Sequence, residues 1–89
     1  MARFETVELE SAAITAGQAS ADVFYRLGLM YSAGASVPED RVTAHKWFNL
    51  AAAQGNSEAV RARRELAAEM SGDEIAAALR AAREWGRVH

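Results

Sequence analysis

The chain has no cysteine among its 89 residues. That removes disulfides, thiolate metal sites and cysteine nucleophiles together. A disulfide-dependent secreted scaffold is excluded, although the redox compartment is left unread. There are only two histidines, and one of them, His89, is the last residue, so the ligands of a structural metal site are missing. One proline in the whole sequence excludes a proline-rich linker. Charge of a single sign is also missing: 10 basic residues against 12 acidic ones leave a net charge of −2, without the basic footprint of a nucleic-acid binder. No apolar run approaches the roughly 20 residues that span a bilayer. Met1-Ala2-Arg3-Phe4-Glu5 opens without the apolar core of a secretory leader, because Glu5, Glu8 and Glu10 stand where it would lie. The expected location is the cytoplasm.

What the chain has is alanine and helical periodicity. Apolar residues make up 51% and charged residues 25%, a globular balance, and alanine is the best helix former. At this length one small domain is expected, burying roughly two-thirds of the surface its unfolded chain exposes. The expected class is all-α. A loose helical pattern covers residues 3–16, with Phe4, Val7, Ala12, Ala13 and Ile14 among glutamates. Gly17, Ala19 and Ser20 break it. A second helix, about 21–32, carries Val23, Phe24, Leu27, Gly28 and Tyr31 on one face. Gly28 in mid-helix should cost about 1 kcal/mol relative to alanine, which marks either the close approach of another helix backbone or an uncompensated weak point. Gly34 ends this helix, and Pro38 cannot continue it.

The third helix, about 40–53, starts at Asp40, which suits the positive end of the dipole. It places Ala44, Trp47, Phe48 and Ala51 on one face. Gly55 follows as a natural C′ residue. Asn56 or Ser57 caps a fourth helix with Ala59, Ala62, Leu66 and Met70 inward. Ser71-Gly72-Asp73-Glu74 is a capping box. It opens a fifth helix with Ile75, Ala78, Leu79 and Ala82 inward and Trp85 near its end. Short helices with short connections suit stacked antiparallel pairs. Sliding the sequence by 36 residues aligns Ala16 with Ala52, Gln18 with Gln54, Asp22 with Glu58, Val23 with Ala59 and Met30 with Leu66.

Catalytic chemistry finds no foothold. The six serines, at 11, 20, 32, 36, 57 and 71, include none in a Gly-x-Ser-x-Gly setting. The glycines at 17, 28, 34, 55, 72 and 86 punctuate helices and build no phosphate loop. His45 lies between Ala44 and Lys46, at the expected edge of the third helix beside its apolar face, with no second histidine one turn on. Carboxylate neighbours such as Asp73 and Glu74 suit a helix N-terminus. The chain is read as non-enzymatic, without cofactor or metal.

Tyr25-Arg26-Leu27-Gly28-Leu29-Met30-Tyr31, then Gly34, Val37-Pro38-Glu39-Asp40, Ala44, Trp47-Phe48, Ala51-Ala52, Gln54-Gly55-Asn56 and Ala59 resemble a Sel1-like repeat, a relative of the tetratricopeptide repeat. Arg64-Glu65-Leu66-Ala67, Met70-Ser71, Ile75-Ala76 and Ala82-Arg83-Glu84-Trp85 resemble the closing segment of small proteobacterial Sel1-like proteins. The resemblance implies a short right-handed α-α superhelix of about five antiparallel helices. It would be one domain over residues 1–89, with a core repeat at 21–56 and capping helices at 57–86. Its flanks are degenerate: Ala19 stands where the family has glycine, and Arg61 and Arg63 replace the tyrosine and leucine of a second repeat.

Such proteins act mostly as adaptors, so the resemblance implies a non-enzymatic protein–protein interaction module. The partner is a protein the sequence does not identify, with no nucleic acid and no membrane insertion. A small accessory subunit that stabilises a larger assembly is the alternative. Solenoids need about three repeats for stability, so a neighbour, or a homodimer, would cover an exposed end. The candidate protein-binding residues are Tyr25, which lies off the Val23–Leu27–Tyr31 line, Arg61 and Arg64 from the densest basic cluster, and Trp85. Trp85 either staples the last helix or meets a partner. The arginine cluster, with Arg63, is read as a solvated face neutralised by Glu58, Glu65 and Glu69 at helical spacing.

Overall fold

The computed structural model describes residues 20–88 and, among them, four α-helices and no strand. They are α1 (Ala21–Ala33), α2 (Arg41–Ala53), α3 (Ser57–Ala67) and α4 (Gly72–Val88). The helix expected over 3–16 lies outside the described residues.

Each helix begins on a side-chain cap that takes up a backbone N–H left without an intrahelical partner. Val23 N–H donates to Ser20 Oγ at 3.2 Å, Thr43 N–H to Asp40 Oδ1 at 3.1 Å and Ala59 N–H to Asn56 Oδ1 at 2.8 Å. The capping box closes in both directions, Glu74 N–H donating to Ser71 Oγ at 3.1 Å and Ser71 N–H to Glu74 Oε1 at 2.9 Å. Ser20, expected only to break a helix, is thus the cap of the next one. The end of α2 is a Schellman motif. Gly55 takes φ +94°, its N–H donates to the Ala52 carbonyl, and the Asn56 N–H donates to the Ala51 carbonyl.

The connections turn the chain back on itself. Gly34, at φ +68°, ends α1, and the Asp40 N–H donates to the Tyr31 carbonyl at 3.0 Å, which sets the start of α2 beside the end of α1. Arg41 Nη1 donates to the Glu69 carbonyl at 3.1 Å, which sets the end of α3 beside the start of α2. All the extensive packing runs through α2, which meets α1, α3 and α4. The core is Phe24 and Leu27 from α1, Ala44, Trp47, Phe48 and Ala51 from α2, and Ala59 from α3. Ala78 and Ala82 bury the inner face of α4. The spacing of 36 residues found in the sequence separates the first residues of α1 and α3, Ala21 and Ser57, and also their caps, Ser20 and Asn56.

Gly28 is buried, and its neighbour corrects the expectation of a helix backbone. A Cβ at this position would fall well inside van der Waals contact with Cδ1 and Cε1 of the Phe48 ring. The glycine is a notch for a side chain of α2. Phe48 is only 2% exposed. Gly28→Ala should therefore destabilise by about 1–3 kcal/mol from overpacking, reduced by the ~1 kcal/mol that alanine adds to helix propensity. In a Phe48→Leu background the same change should be neutral or stabilising. Urea unfolding of the four proteins checks this, and an equal cost in both backgrounds would remove the ring as the cause.

Candidate functional site

Because α1 and α3 both pack on α2 and make no extensive contact with each other, a groove is left between them. Phe48 of α2 forms its floor. Leu29 and Ser32 form one wall, and Ala62, Glu65, Leu66 and Glu69 form the other, around a volume of about 270 Å³. That is an open recess for one or two side chains and lies just below the range of pockets that enclose small molecules. Tyr25 packs near this side, half-buried, with its ring centroid 5.8 Å from that of Phe48. A wider depression of about 520 Å³ is bounded by Arg80, Arg83, Glu84, Gly86 and Arg87 of α4 alone. No large apolar side chain lines it, and it is a face of a single helix that carries three arginines and a glutamate.

The four candidate residues fall in three settings. Tyr25 lies against Phe48. Arg61 and Arg64 are exposed on α3 and are not among the residues that line the groove. Trp85 is half-buried against the other flank of the core, with ring centroids 5.1 Å from Phe24 and 5.7 Å from Trp47, both edge-on. Trp47 in turn stacks on Phe24 at 5.5 Å, with Lys46 Nζ 4.1 Å from its ring centroid. Of the two roles left open for Trp85, these contacts provide that of a staple. Aromatic pairs of this geometry contribute about 0.5–1.5 kcal/mol each beyond burial. Trp85→Ala should lower stability by about 2–4 kcal/mol, read by thermal or urea unfolding. A loss below about 0.5 kcal/mol would mean that the ring does not hold α4.

Three expectations about α3 and its neighbour are corrected. Arg63 is not part of a solvated face: its Nη1 donates to Asn49 Oδ1 on α2 at 2.6 Å, in a partly buried position. Nor do the glutamates of α3 neutralise its arginines, since the ion pairs among the described residues are Arg41–Glu39 at 3.9 Å and Arg87–Glu84 at 3.5 Å. His45, expected at a helix edge, is only 3% exposed. A helix that receives neighbours on three sides buries a wider arc than one apolar stripe, and His45 lies on the extra flank.

No hydrogen bond satisfies His45 Nδ1 or Trp47 Nε1 within the described chain. Burial lowers the His45 pKa from its ordinary 6.5, the nearby Arg63 charge lowers it further, and a smaller backbone interaction opposes them. A depressed imidazole pKa means that the unfolded chain takes up its proton first as pH falls. Stability is complete above 6.5 and is lost as pH drops through 6.5 toward the folded value. Urea midpoints should therefore fall between about pH 7.5 and about pH 5.5, and His45→Gln should flatten that fall. An unchanged slope in the variant would place the titration elsewhere.

Among the described residues no group of His, Cys, Asp and Glu could hold a metal ion, and no helix is long and apolar enough to cross a membrane. Residues 25–56 match the Sel1 repeat family, so the chain carries a Sel1 repeat that begins in α1 and ends at the cap of α3. A comparison with curated proteins and one with solved structures gave no significant match. Repeats of this family pack as helical pairs, generally mediate protein interactions and are typically non-catalytic.

Proposed function

We propose that the chain is a non-enzymatic protein–protein interaction module, a short right-handed stack of helix pairs that holds a partner in the groove between α1 and α3. The observation that carries this reading is the groove itself. Its floor is the ring seated against Gly28, and its rim leaves Leu29, a large apolar residue, 42% exposed. A recess with an apolar floor and a polar rim is the form that a docked segment fills. The matched repeat ends where α3 begins, so α3 supplies the second wall from outside it. Tyr25 would extend the apolar surface on the α1 side, with Arg61 and Arg64 contacting the partner beyond the groove. Trp85 would act through the staple, holding α4 on the core.

The test is a photo-crosslinking amino acid placed at position 29, in the groove wall, and at Ala76, on the exposed side of α4, in cells that express the protein. A discrete protein adduct from position 29 and not from 76 is the expected result. Adducts from 76 alone would move the surface to α4. The absence of any protein adduct at either position would sink the module reading.

A further inference from the structure

We infer that the groove between α1 and α3 takes a basic amphipathic segment of a partner protein, with an apolar side chain between Leu29 and Leu66 over Phe48 and a Lys or Arg against Glu65 and Glu69. This rests on the reading of the chain as an interaction module and adds the chemistry of the occupant.

The charge of the groove carries the argument. Both carboxylates that line it stand on the α3 side, Glu65 in the last turn of the helix and Glu69 in the turn that follows it. Neither carboxylate makes an ion pair among the described residues; the Arg41 guanidinium meets Glu69 at its backbone carbonyl. The facing α1 wall is neutral: Leu29 is apolar, and the Ser32 hydroxyl donates to the Leu29 carbonyl at 3.1 Å. Arg26 and Arg61, each about one turn earlier on its own helix, are not lining residues.

Helix direction adds to this. The groove is lined by the final turns of α1 and α3, so the negative ends of two helix dipoles meet there. α1 has no basic residue in its last turn to offset its end, whereas α3 carries the exposed Arg64 in its own. Two carboxylates and the unopposed C-terminus of α1 around an apolar floor favour a cation attached to an apolar side chain. A wholly apolar segment would leave both carboxylates unpaired beside it, and an acidic one would be repelled.

The test uses the full chain, isotope-labelled for NMR, with two synthetic amphipathic helical peptides of identical leucine pattern. One carries lysine on its polar face and the other glutamate. The lysine peptide should bind, shift the amide signals of Leu29, Glu65, Leu66 and Glu69, and weaken as salt is raised. Glu65→Gln combined with Glu69→Gln, both at exposed positions, should reduce that affinity roughly fivefold or more while leaving the far-ultraviolet circular dichroism unchanged. Equal binding of the glutamate peptide, or indifference to the Gln pair, would overturn the charge assignment and leave the module reading to the crosslinking result. Shifts at these residues on concentrating the protein alone would make a second copy the occupant and overturn the proposal. Lysine-peptide shifts confined to other surfaces would overturn it as well.

Discussion

Helix α2 must satisfy three neighbours at once, and most of the architecture follows from how its side chains are shared among them. Trp47 is the centre of the arrangement. It stacks on Phe24 of α1 and receives the edge of Trp85 from α4, so one side chain ties both helices to α2. The adjacent residue, Phe48, points to the other flank, where the missing side chain of Gly28 lets its ring sit against α1. The same ring then becomes the floor between α1 and α3. Two consecutive aromatic residues thus divide the work, one closing the core toward α4 and one shaping the groove. Neither could be exchanged for the other, because successive helical positions point about 100° apart.

The parts of this structure that are local in origin were legible in the sequence. The capping box at Ser71, the cap at Asp40, the glycine stop at Gly55 and the apolar faces of α1 and α2 each depend on residues within a turn or two. They were found where they were expected. His45, Arg63 and the neighbour of Gly28 were misread for one shared reason. Each is decided by contacts across helices: His45 by the wide arc that α2 buries, Arg63 by Asn49 fourteen residues earlier, and Gly28 by a ring twenty positions away in the chain. Periodicity reports which side of a helix is apolar and is silent on how many neighbours that helix will have. The groove was out of reach for the same reason, since its walls belong to helices that do not pack on one another. Only Tyr25, off the main apolar line of α1, signalled that something lay on that side.

The internal spacing of 36 residues gives the degenerate second unit a physical meaning. Leu27, fully buried in α1, corresponds to Arg63 in α3. An arginine cannot occupy a leucine's place in a core without a partner, and Arg63 instead extends its guanidinium to Asn49. The equivalent of Gly28 is Arg64, which is exposed, so the second unit has no notch for an incoming ring. The turn also shortens, from residues 34–40 in the first hairpin to residues 68–71 in the second. α3 and α4 each cover α2 and make no extensive contact with each other, so the second unit is not a repetition of the α1–α2 pair.

The edge contact between the two tryptophans, at 5.7 Å between ring centroids, also makes α4 visible. These are the only tryptophans in the chain. One is held in the middle of α2, and the other travels with the last turns of α4. Indole chromophores this close couple their electronic transitions and give a paired signal in near-ultraviolet circular dichroism that depends on their separation and mutual angle. The protein thus carries a built-in optical gauge of whether its last helix is seated, readable without any label.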